Sequence, residues 1–322
     1  MNDRSSLRPV IAEMKRFLRR LSAFCLILVP VLFLADYVLS AYMRKVNTFG
    51  METWRDIMEG KAGADMVIMG NSRAFNSCDR EVLDSLTGQS SYNLASIGNL
   101  STIQFLRYEM YREHNSKPRT VVMFTDDVLL GAEISQYDPV QYFPWMWDRS
   151  FSRAFVSLRK HLYLTQEEII LESLIPYVRY YGSRPWNLDR HHRLTHDGFY
   201  SFDVDTFNMT GGEKKRFIYL EDRDKAFRDF IQGNLDEGIR VVLVCPPFHE
   251  SVVFEDNERE RMVQYYTDVA DDFGIPFYNC LSMDIVHDTT FFLDSDHLNA
   301  KGAKVFTDSL SHYLVGLGLF EN

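Results

Sequence analysis

Short runs of apolar, largely β-branched residues recur along this 322-residue chain. Each run is nearly continuous in apolar residues, as expected of strands that are buried on both faces. Each is also bounded by turn residues or by a helical pattern. The pattern predicts five strands, at residues 65–69, 91–95, 120–125, 240–245 and 275–279.

Helical patterns fill several of the intervals between these strands. Residues 101–115 begin at a serine suited to cap a helix, 222–238 end at a glycine, and 257–273 precede the last strand. Strands that alternate with helices are typical of a parallel sheet covered on both faces. The sequence therefore predicts an α/β fold with a doubly wound, five-stranded parallel sheet.

A long apolar segment, residues 21–43, follows a basic tail, residues 1–20, that holds six basic and two acidic side chains. A helix of 23 residues spans about 34 Å, more than the roughly 30 Å of a bilayer's hydrocarbon core. The positive-inside rule then predicts a cytoplasmic tail and an exported remainder, with residues 44–61 as a linker. We expect Asp36 to reach the membrane interface and the helix to stand apart from the globular part. A cleaved signal peptide is the alternative, which the length of the apolar run disfavours.

The alternation of strands and helices is interrupted between residues 131 and 218. We interpret this stretch as an insertion whose aromatic rings form a small helical core of their own. Some of the rings are expected to form a lid or wall over the active site and to stack on sugar. The frame of the sheet then comprises residues 62–130 and 219–322. The aromatic residues of the insertion include Tyr142, Phe143, Trp145, Trp147, Tyr163, Tyr177, Tyr180, Tyr181, Trp186, Phe199 and Tyr200.

Charge and cysteine content narrow the classes of function. The formal net charge is −10, and because the basic tail is positive the remaining chain carries −14. An acidic domain argues against nucleic acid or anionic lipid as its ligand. Of the four cysteines, Cys78, Cys245 and Cys280 lie beyond the apolar segment, so at most one disulfide can join them. Their spacing matches no metal motif.

Candidate chemistry lies at both ends of the frame. Ser72 follows the first predicted strand, in the string Gly70–Arg73, and Asp294 lies three residues before His297. A serine nucleophile needs a base, and the base needs a partner that fixes its tautomer. Ligands of open α/β sheets bind at the carboxyl ends of the strands, where these segments converge. We therefore predict a catalytic triad of Ser72, His297 and Asp294, and we prefer Asp294 to Asp296 because adjacent side chains point apart.

Over residues 62–130 and 219–316 these motifs resemble those of the SGNH (GDSL-like) hydrolase superfamily. Gly70–Arg73 matches the block that carries the nucleophilic serine, and Asp294 with His297 matches the Asp-x-x-His block. The resemblance implies a flavodoxin-like three-layer fold. It also implies an oxyanion hole formed by the N–H groups of Ser72 and Gly98. The apolar segment and the insertion are similar to members that modify bacterial surface polymers, such as alginate O-acetylation proteins and the teichoic-acid D-alanylation protein.

One block departs from the family pattern. Where the resemblance implies Gly-x-Asn-Asp after the third strand, this chain has Phe124–Asp127. An ionised Asp126 cannot donate to an oxyanion, so the hole is expected to depend on backbone N–H groups. We then expect Asp126 to be turned away from Ser72 or to accept hydrogen bonds from backbone N–H groups or Arg73. On that basis Asp126→Asn leaves activity unchanged or modestly higher.

Other residues are weaker candidates for a functional site. Arg73, Asn99 and Asp126 are candidates for substrate binding. Arg73 is expected to contact an anionic sugar or acyl carboxylate, or to form a salt bridge with a neighbouring acidic residue. A polar stretch of the insertion has the residue types of a metal site, but its turn and flanking arginines favour a solvated segment. No metal or cofactor is predicted; the residues of that stretch are Asp189, His191, His192, His196 and Asp197.

The expected function is O-acylation of an extracytoplasmic polysaccharide by a membrane-anchored serine acyltransferase. In this hypothesis Ser72 is acylated, His297 is the base, and a glycan hydroxyl accepts the acyl group. The resemblance implies a membrane-bound O-acyltransferase as partner and acyl donor, and a single-pass location in the inner membrane with a periplasmic catalytic domain. A carbohydrate or lipid esterase with the same triad is the alternative. A non-catalytic glycan-binding or assembly protein is the second alternative.

Overall fold

The five predicted strands form one sheet. The structure is a computed structural model, which describes residues 4–47, 50–98, 101–131, 141–159, 198–203, 206–208 and 214–320. The strands are β1 (Met66–Met69), β2 (Ser91–Asn93), β3 (Thr120–Phe124), β4 (Arg240–Cys245) and β5 (Phe277–Asn279). Neighbouring strands pair in parallel in the order β2-β1-β3-β4-β5, the order of flavodoxin-like sheets, so the predicted fold class is confirmed.

The helices predicted at 101–115, 222–238 and 257–273 are present as Ser101–His114, Glu221–Asp236 and Glu258–Phe273, with ends within two residues of the prediction. Short 3₁₀ turns lie at Phe143–Trp145, Asp284–His287 and Thr289–Phe291. Within the described residues the α-helices are α1 (Arg4–Met43), α2 (Met51–Met58), α3 (Ser72–Ser77), α4 (Arg80–Thr87), α5 (Ser101–His114), α6 (Arg149–Arg159), α7 (Glu221–Asp236), α8 (Glu258–Phe273) and α9 (Ala300–Gly316).

Alternate residues of each strand face two different helical layers. Val67 and Val241 lie in one core cluster, together with apolar residues of α2, α5, α7 and α8. Ile68 and Val242, one residue further along the same strands, lie in a second cluster with residues of α3, α4 and α9. Both faces of the sheet are therefore covered, which explains why its strands are apolar throughout rather than alternating.

The segment predicted as a linker, residues 44–61, instead contains α2, which is part of the core. Trp54 and Ile57 are fully buried. The ring of Trp54 packs edge-on against Tyr142 and Phe151 of the insertion. Eight residues are too few for a clear helical period, so the amphipathic character of α2 is visible only once its partners are in place.

Helix α1 runs without a break from the basic tail through the apolar segment. Val10–Met43 is long and apolar enough to cross a membrane, judged by length and composition alone. The expectation that this helix stands apart is wrong for its last two turns. Asp36 is only 4% exposed, and its Oδ2 accepts a 2.7 Å hydrogen bond from Nε1 of Trp147. Asp36 thus contacts the insertion rather than free solvent at the interface.

Among the described parts of the insertion, residues 141–159 pack in one place and residues 198–203 and 206–208 in another. Tyr142 stacks on Phe155, which in turn stacks on Phe151. These rings lie in the same core cluster as Trp54 and the sheet, so residues 141–159 do not form the separate small core that was expected. The second part contacts α3, where the N–H of Tyr200 donates to the carbonyl of Phe75, and the segment before Asp294, where the N–H of Asn208 donates to the carbonyl of Leu293. The remaining aromatic residues considered from the sequence lie outside the described residues, namely Tyr163, Tyr177, Tyr180, Tyr181 and Trp186.

Candidate active site

Ser72, His297 and Asp294 lie together at the carboxyl edge of the sheet, although 225 positions separate the first two. Ser72 Oγ is 2.9 Å from Nε2 of His297. Nδ1 of His297 is 2.9 Å from Oδ1 and 3.0 Å from Oδ2 of Asp294. Because a carboxylate only accepts, Nδ1 carries the ring proton and Nε2 can take the hydroxyl proton of Ser72. This is the hydrogen-bonded chain that nucleophilic catalysis requires.

The turn that presents Ser72 requires glycine at position 70. Gly70 has a φ of +153°, and a Cβ there would lie 2.5 Å from Cβ of Ala74 and 2.8 Å from Cβ of Phe124. Asn71 follows in an extended conformation and caps α3, its side-chain oxygen accepting from the N–H of Arg73 at 3.0 Å. Ser72 is therefore the first residue of α3, a capped helix at the end of a buried strand. Because Ser72 is the predicted nucleophile, we call α3 the nucleophile helix and residues 70–72 the nucleophile turn.

The loop that carries His297 is held by its own carboxylate. Asp294 Oδ1 accepts from the backbone N–H groups of Asp296 at 2.8 Å and His297 at 2.9 Å, in addition to the ring. Burial alone would raise the pKa of Asp294, but the hydrogen bonds and charge of His297 and these backbone donors outweigh it and lower the pKa. Asn299 then caps α9, accepting from the N–H groups of Lys301 and Gly302 at 3.0 Å each. The carboxylate is thus ionised and fixed against the imidazole.

The two residues predicted to supply oxyanion donors, Ser72 and Gly98, lie in neighbouring segments. The carbonyl of Asn71 accepts from the N–H groups of Ala74 and Phe75, and its side chain takes that of Arg73. The N–H of Ser72 has no acceptor in this first turn. The loop after β2 is tied to the nucleophile turn because the N–H of Ser96 donates to the carbonyl of Gly70 at 3.0 Å. Gly98 lies exposed in that loop, whereas Asn99 lies outside the described residues.

Asp126 accepts hydrogen bonds, which is one of the two arrangements expected from the sequence. Its Oδ2 accepts from Nδ2 of Asn71 in a short contact, and its Oδ1 accepts from the N–H of Val128 at 3.0 Å. The hydroxyl of Tyr266 donates to its carbonyl at 2.8 Å. Both carboxylate oxygens are occupied, and Asp126 is only 5% exposed. Asp126 therefore holds the amide that caps the nucleophile helix, a link that sequence reasoning missed, although an asparagine preceding a helix is a recognised capping signal.

Arg73 corrects the sequence prediction for this residue. It is 4% exposed, and its Nη2 donates to the carbonyls of Pro246 at 2.6 Å and Pro247 at 3.0 Å. Its guanidinium lies 3.5 Å from the ring centroid of Phe248. Arg73 thus binds the loop after β4 and does not make the expected substrate contact or salt bridge. The reason is that the nucleophile helix directs this side chain into the protein interior.

A charged cluster adjoins the Asp-x-x-His loop. Nζ of Lys215 lies 3.2 Å from Asp296 Oδ1 and 3.5 Å from Asp127 Oδ2. Burial and the neighbouring charge of Asp126 raise the pKa of Asp127 to about 6, against the opposing charges of Lys215 and Arg73. Asp296 therefore faces Lys215 rather than His297, which leaves the orienting position to Asp294.

The returning part of the insertion forms a wall beside the triad. The N–H of Asn208 donates to the carbonyl of Leu293 at 2.8 Å, directly before Asp294. Tyr200 stacks on Phe75 of α3 and contacts Phe202 edge-on. Gly198 approaches the end of β2 so closely that a Cβ would lie 1.7 Å from the carbonyl oxygen of Asn93. The wall is thus packed against both segments that carry the triad.

The candidate metal-binding stretch, with His191, His192 and His196, lies outside the described residues. Among the described residues, no group of three or more His, Cys, Asp or Glu side chains is arranged to hold a metal ion. The three cysteines beyond α1 are buried as free thiols, and burial raises the pKa of Cys245 to about 12. Thiolate chemistry at Cys245 is therefore disfavoured at neutral pH.

Comparisons with known proteins add little to this geometry. No protein-family model and no curated protein matches the chain. Among solved structures, the chain is similar to a protein from Streptococcus pneumonia that is provisionally described as a platelet activating factor. The two share 12% sequence identity with a TM-score of 0.43, over 87% of this chain and 98% of the other. A likeness this distant carries no argument about chemistry, which rests on the side chains described above.

Proposed function

We propose that this protein is a membrane-anchored serine acyltransferase that O-acylates an extracytoplasmic polysaccharide. One observation carries the proposal: Ser72 Oγ, the His297 ring and the Asp294 carboxylate form a continuous hydrogen-bonded chain with contacts of 2.9 Å. These three side chains lie at the carboxyl edge of the sheet, where ligands of such folds bind.

In this mechanism His297 Nε2 takes the proton of Ser72 as Oγ attacks the carbonyl carbon of an ester. Asp294 stabilises the imidazolium, and the N–H groups of Ser72 and Gly98 are the proposed donors to the oxyanion. As the intermediate collapses, the bond to the leaving alkoxide breaks and His297 returns its proton to that oxygen. The product is an acyl ester on Ser72, which a second hydroxyl then attacks by the same steps in reverse.

A glycan hydroxyl is the proposed second nucleophile. The aromatic wall beside the triad supports it, because the half-buried rings of Tyr200 and Phe202 offer apolar faces next to polar groups. The resemblance to surface-polymer O-acetylation proteins supports it as well. A membrane-bound O-acyltransferase is the proposed source of the acyl group, since the anchor would hold the two proteins in one membrane.

Hydrolysis is the second candidate, and exposure of the site favours it. In the described part of the chain, the side chains of His297 and Asp294 are 25% and 14% exposed, so water reaches the base. An esterase with the same triad would use that water as acceptor in place of a glycan hydroxyl. The two activities share the acyl-enzyme and differ only in its fate.

Acylation is tested on the full-length protein in detergent with p-nitrophenyl acetate. We expect intact mass to increase by one acetyl group, and the label to be absent from Ser72→Ala and present in Ser85→Ala, which alters an exposed serine of α4. A parent protein that neither becomes labelled nor releases p-nitrophenol would favour the non-catalytic alternative, and a labelled Ser72→Ala would refute the nucleophile.

The acceptor is tested by adding cello- and chito-oligosaccharides to the acetylated enzyme. Acetylated oligosaccharide in the mass spectrum supports transfer, and release of acetate alone supports hydrolysis. The proposed orientation, with the basic tail inside and the remainder outside, is tested by protease digestion of spheroplasts. Protection of residues 44–320 from external protease would contradict it.

A further inference from the structure

The last two turns of α1 join the anchor to the tip of the insertion, residues 143–147. Asp36, Ser40 and Met43 recur at helical spacing on one face and are buried against the globular part. Nε1 of Trp147 donates to Asp36, and its ring lies edge-on to Phe33 and Tyr37 at centroid distances of 6.1 and 5.5 Å. The tip of the insertion thus lies beside the very part of α1 predicted to emerge from the membrane.

A second hydrogen bond strengthens this junction. Nε of Arg44 donates to the carbonyl of Pro144 at 2.9 Å, and its guanidinium lies 5.0 Å from the ring centroid of Trp145. Met43 and Phe143 share a small buried cluster. The junction is therefore made of paired polar groups as well as apolar contacts.

The opposite face of these turns is apolar and exposed. Val31, Leu34 and Val38 are 54%, 62% and 59% exposed, and with Ala35, Leu39 and Tyr42 they line a shallow groove. This face continues the apolar surface of the membrane-spanning part without a polar break. Lys45, exposed just beyond it, is placed to reach lipid phosphates.

Helix length decides how deep this junction lies. Between Arg20 and Phe33, where contact with the insertion begins, only residues 21–32 are free, or roughly 18 Å of helix. A hydrocarbon core of about 30 Å needs about 20 residues, so it extends along the exposed face to the region of Ser40. The height of Trp147, between Phe33 and Tyr37, then falls about 5 to 10 Å inside the outer end of that core.

We infer that the 143–147 tip and the exposed face of α1 form one lipid-binding surface in the outer leaflet, just inside the membrane interface. Trp147 is 38% exposed and presents an apolar ring with its N–H already bonded, as suits a tryptophan at the interface. This inference rests on the proposed anchoring of α1, and it shifts the predicted end of the membrane core from Met43 toward Ser40.

The surface is connected to the candidate active site. Gln141, directly before the tip, accepts from Nη2 of Arg107 at 3.1 Å. Nη1 of Arg107 donates to the carbonyls of Leu94 and Ala95, in the loop that leads to Gly98. A lipid-bound tip would therefore hold the candidate site next to the outer membrane surface, within reach of an acyl donor delivered there.

The test uses the full-length protein labelled with 5-fluorotryptophan in nanodiscs of neutral phosphatidylcholine. The ¹⁹F resonance of Trp147 is assigned by its loss in Trp147→Phe. We expect a spin label at the 5-position of the lipid chain to broaden this resonance, while a water-soluble gadolinium chelate leaves it sharp. Trp54, fully buried in the core, supplies a resonance that neither reagent should broaden.

Broadening of the Trp147 resonance by the gadolinium chelate instead would overturn the inference. So would insensitivity to both reagents, which would mean that protein, a second copy or another helix, covers this surface. Failure of the protein to enter nanodiscs would contradict the anchoring itself. That result is distinct from the first two, in which the protein is embedded but Trp147 is not in lipid.

Discussion

On one side of Ser72, Asp294 belongs to the same loop as His297; on the other, Asp126 reaches Asn71 from the end of β3. Asp294 accepts from the imidazole and from two backbone N–H groups within three residues. Asp126 accepts from an amide 55 positions away. In the proposed mechanism the first carboxylate orients the group that moves a proton, whereas the second holds the amide that caps the nucleophile helix. Similar side chains are thus proposed to serve chemistry on one side and positioning on the other.

The hydrogen bonds around Asn71 have a fixed direction. Val128 N–H and Asn71 Nδ2 both donate to Asp126, and the remaining oxygen of Asn71 accepts from Arg73 N–H. An asparagine at 126 would have only one accepting oxygen, which the N–H of Val128 would occupy. The side-chain NH₂ of Asn71 would then face a second NH₂ group. If the Asn71 amide flipped to avoid this, its oxygen would no longer accept from the N–H of Arg73. This geometry reverses the expectation, drawn from the sequence, that Asp126→Asn leaves activity unchanged or higher.

The largest effect is expected at the chemical side. His297→Ala removes the base, so we expect the rate of acetylation by p-nitrophenyl acetate to fall by about 10⁴-fold or more. The release of p-nitrophenol in the first turnover measures this rate. His312→Ala, an exposed histidine of α9, is the matched control and should leave the rate unchanged. A loss below tenfold in His297→Ala would rule out His297 as the base.

The next effect separates the two carboxylates of the Asp-x-x-His loop. Asp294→Asn replaces an acceptor with a group that can hold the wrong tautomer of His297, and we expect kcat to fall by about 10³–10⁴-fold. Asp296→Asn changes only the side chain that faces Lys215, and should cost less than tenfold. Equal decreases of kcat in the two variants would mean that Asp294 is not the residue that orients His297.

Exchanging Asn71 and Asp126 tests the positioning side. Asp126→Asn alone and Asn71→Asp alone each leave a mismatched pair, two donors or two carboxylates, and we expect each to lower kcat about 10–100-fold. The double variant restores every hydrogen bond with the pair reversed, so it should regain activity to within a few-fold of the parent. Thermal unfolding of all four proteins gives the parallel cycle for stability.

If the decreases of the two single variants simply add in the double variant, then Asn71 and Asp126 do not act through the hydrogen bond between them. The single variant Asn71→Asp provides a further distinction. Its two facing carboxylates repel each other more strongly as both become ionised, so its loss should shrink at acid pH, whereas that of Asp126→Asn should not.

The smallest effect concerns Asp127, next to this pair. Its pKa of about 6 exceeds the usual value near 3.9. The folded state therefore binds more protons between about pH 4 and 6, and the stability of the fold falls as pH rises through that window. Asp127→Asn removes this titration, so the free energy of unfolding at pH 7 should rise by roughly 2 kcal/mol, with little difference near pH 4.

Urea-induced unfolding at the two pH values measures the Asp127 effect. Asp271→Asn, an exposed carboxylate at the end of α8, is the control and should give the same stability as the parent at both. The lowered pKa of Asp294 acts in the opposite sense, because it adds stability that is lost as the pH falls below the usual pKa of an aspartate. This contribution is the same in the parent, Asp127→Asn and Asp271→Asn. An unchanged or lower stability of Asp127→Asn at pH 7 would contradict the prediction.

Local patterns were enough to predict the frame and the three residues of the candidate triad. An uninterrupted apolar run such as Val241–Val244 identifies a strand because both faces of a parallel sheet are buried, so consecutive residues must all be apolar. The spacing of Asp294 and His297 is equally local, since three residues in a turn bring a carboxylate to the ring. That all of them meet at one edge follows from the rule that parallel strands end together.

Contacts between distant segments decided the rest. Whether Arg73 faced a ligand or the carbonyls of Pro246 and Pro247 depended on how the nucleophile helix packs on the loop after β4. The link from Asn71 to Asp126, and that from Asp36 to Trp147, join positions 55 and 111 apart. A polar side chain takes whichever partner the folded chain brings within 3 Å, and no periodicity records that partner. The order of residues along the chain is therefore enough to specify the sheet and the close spacing of Asp294 and His297, whereas contacts formed on folding fix what holds Ser72 and where α1 meets the rest of the protein.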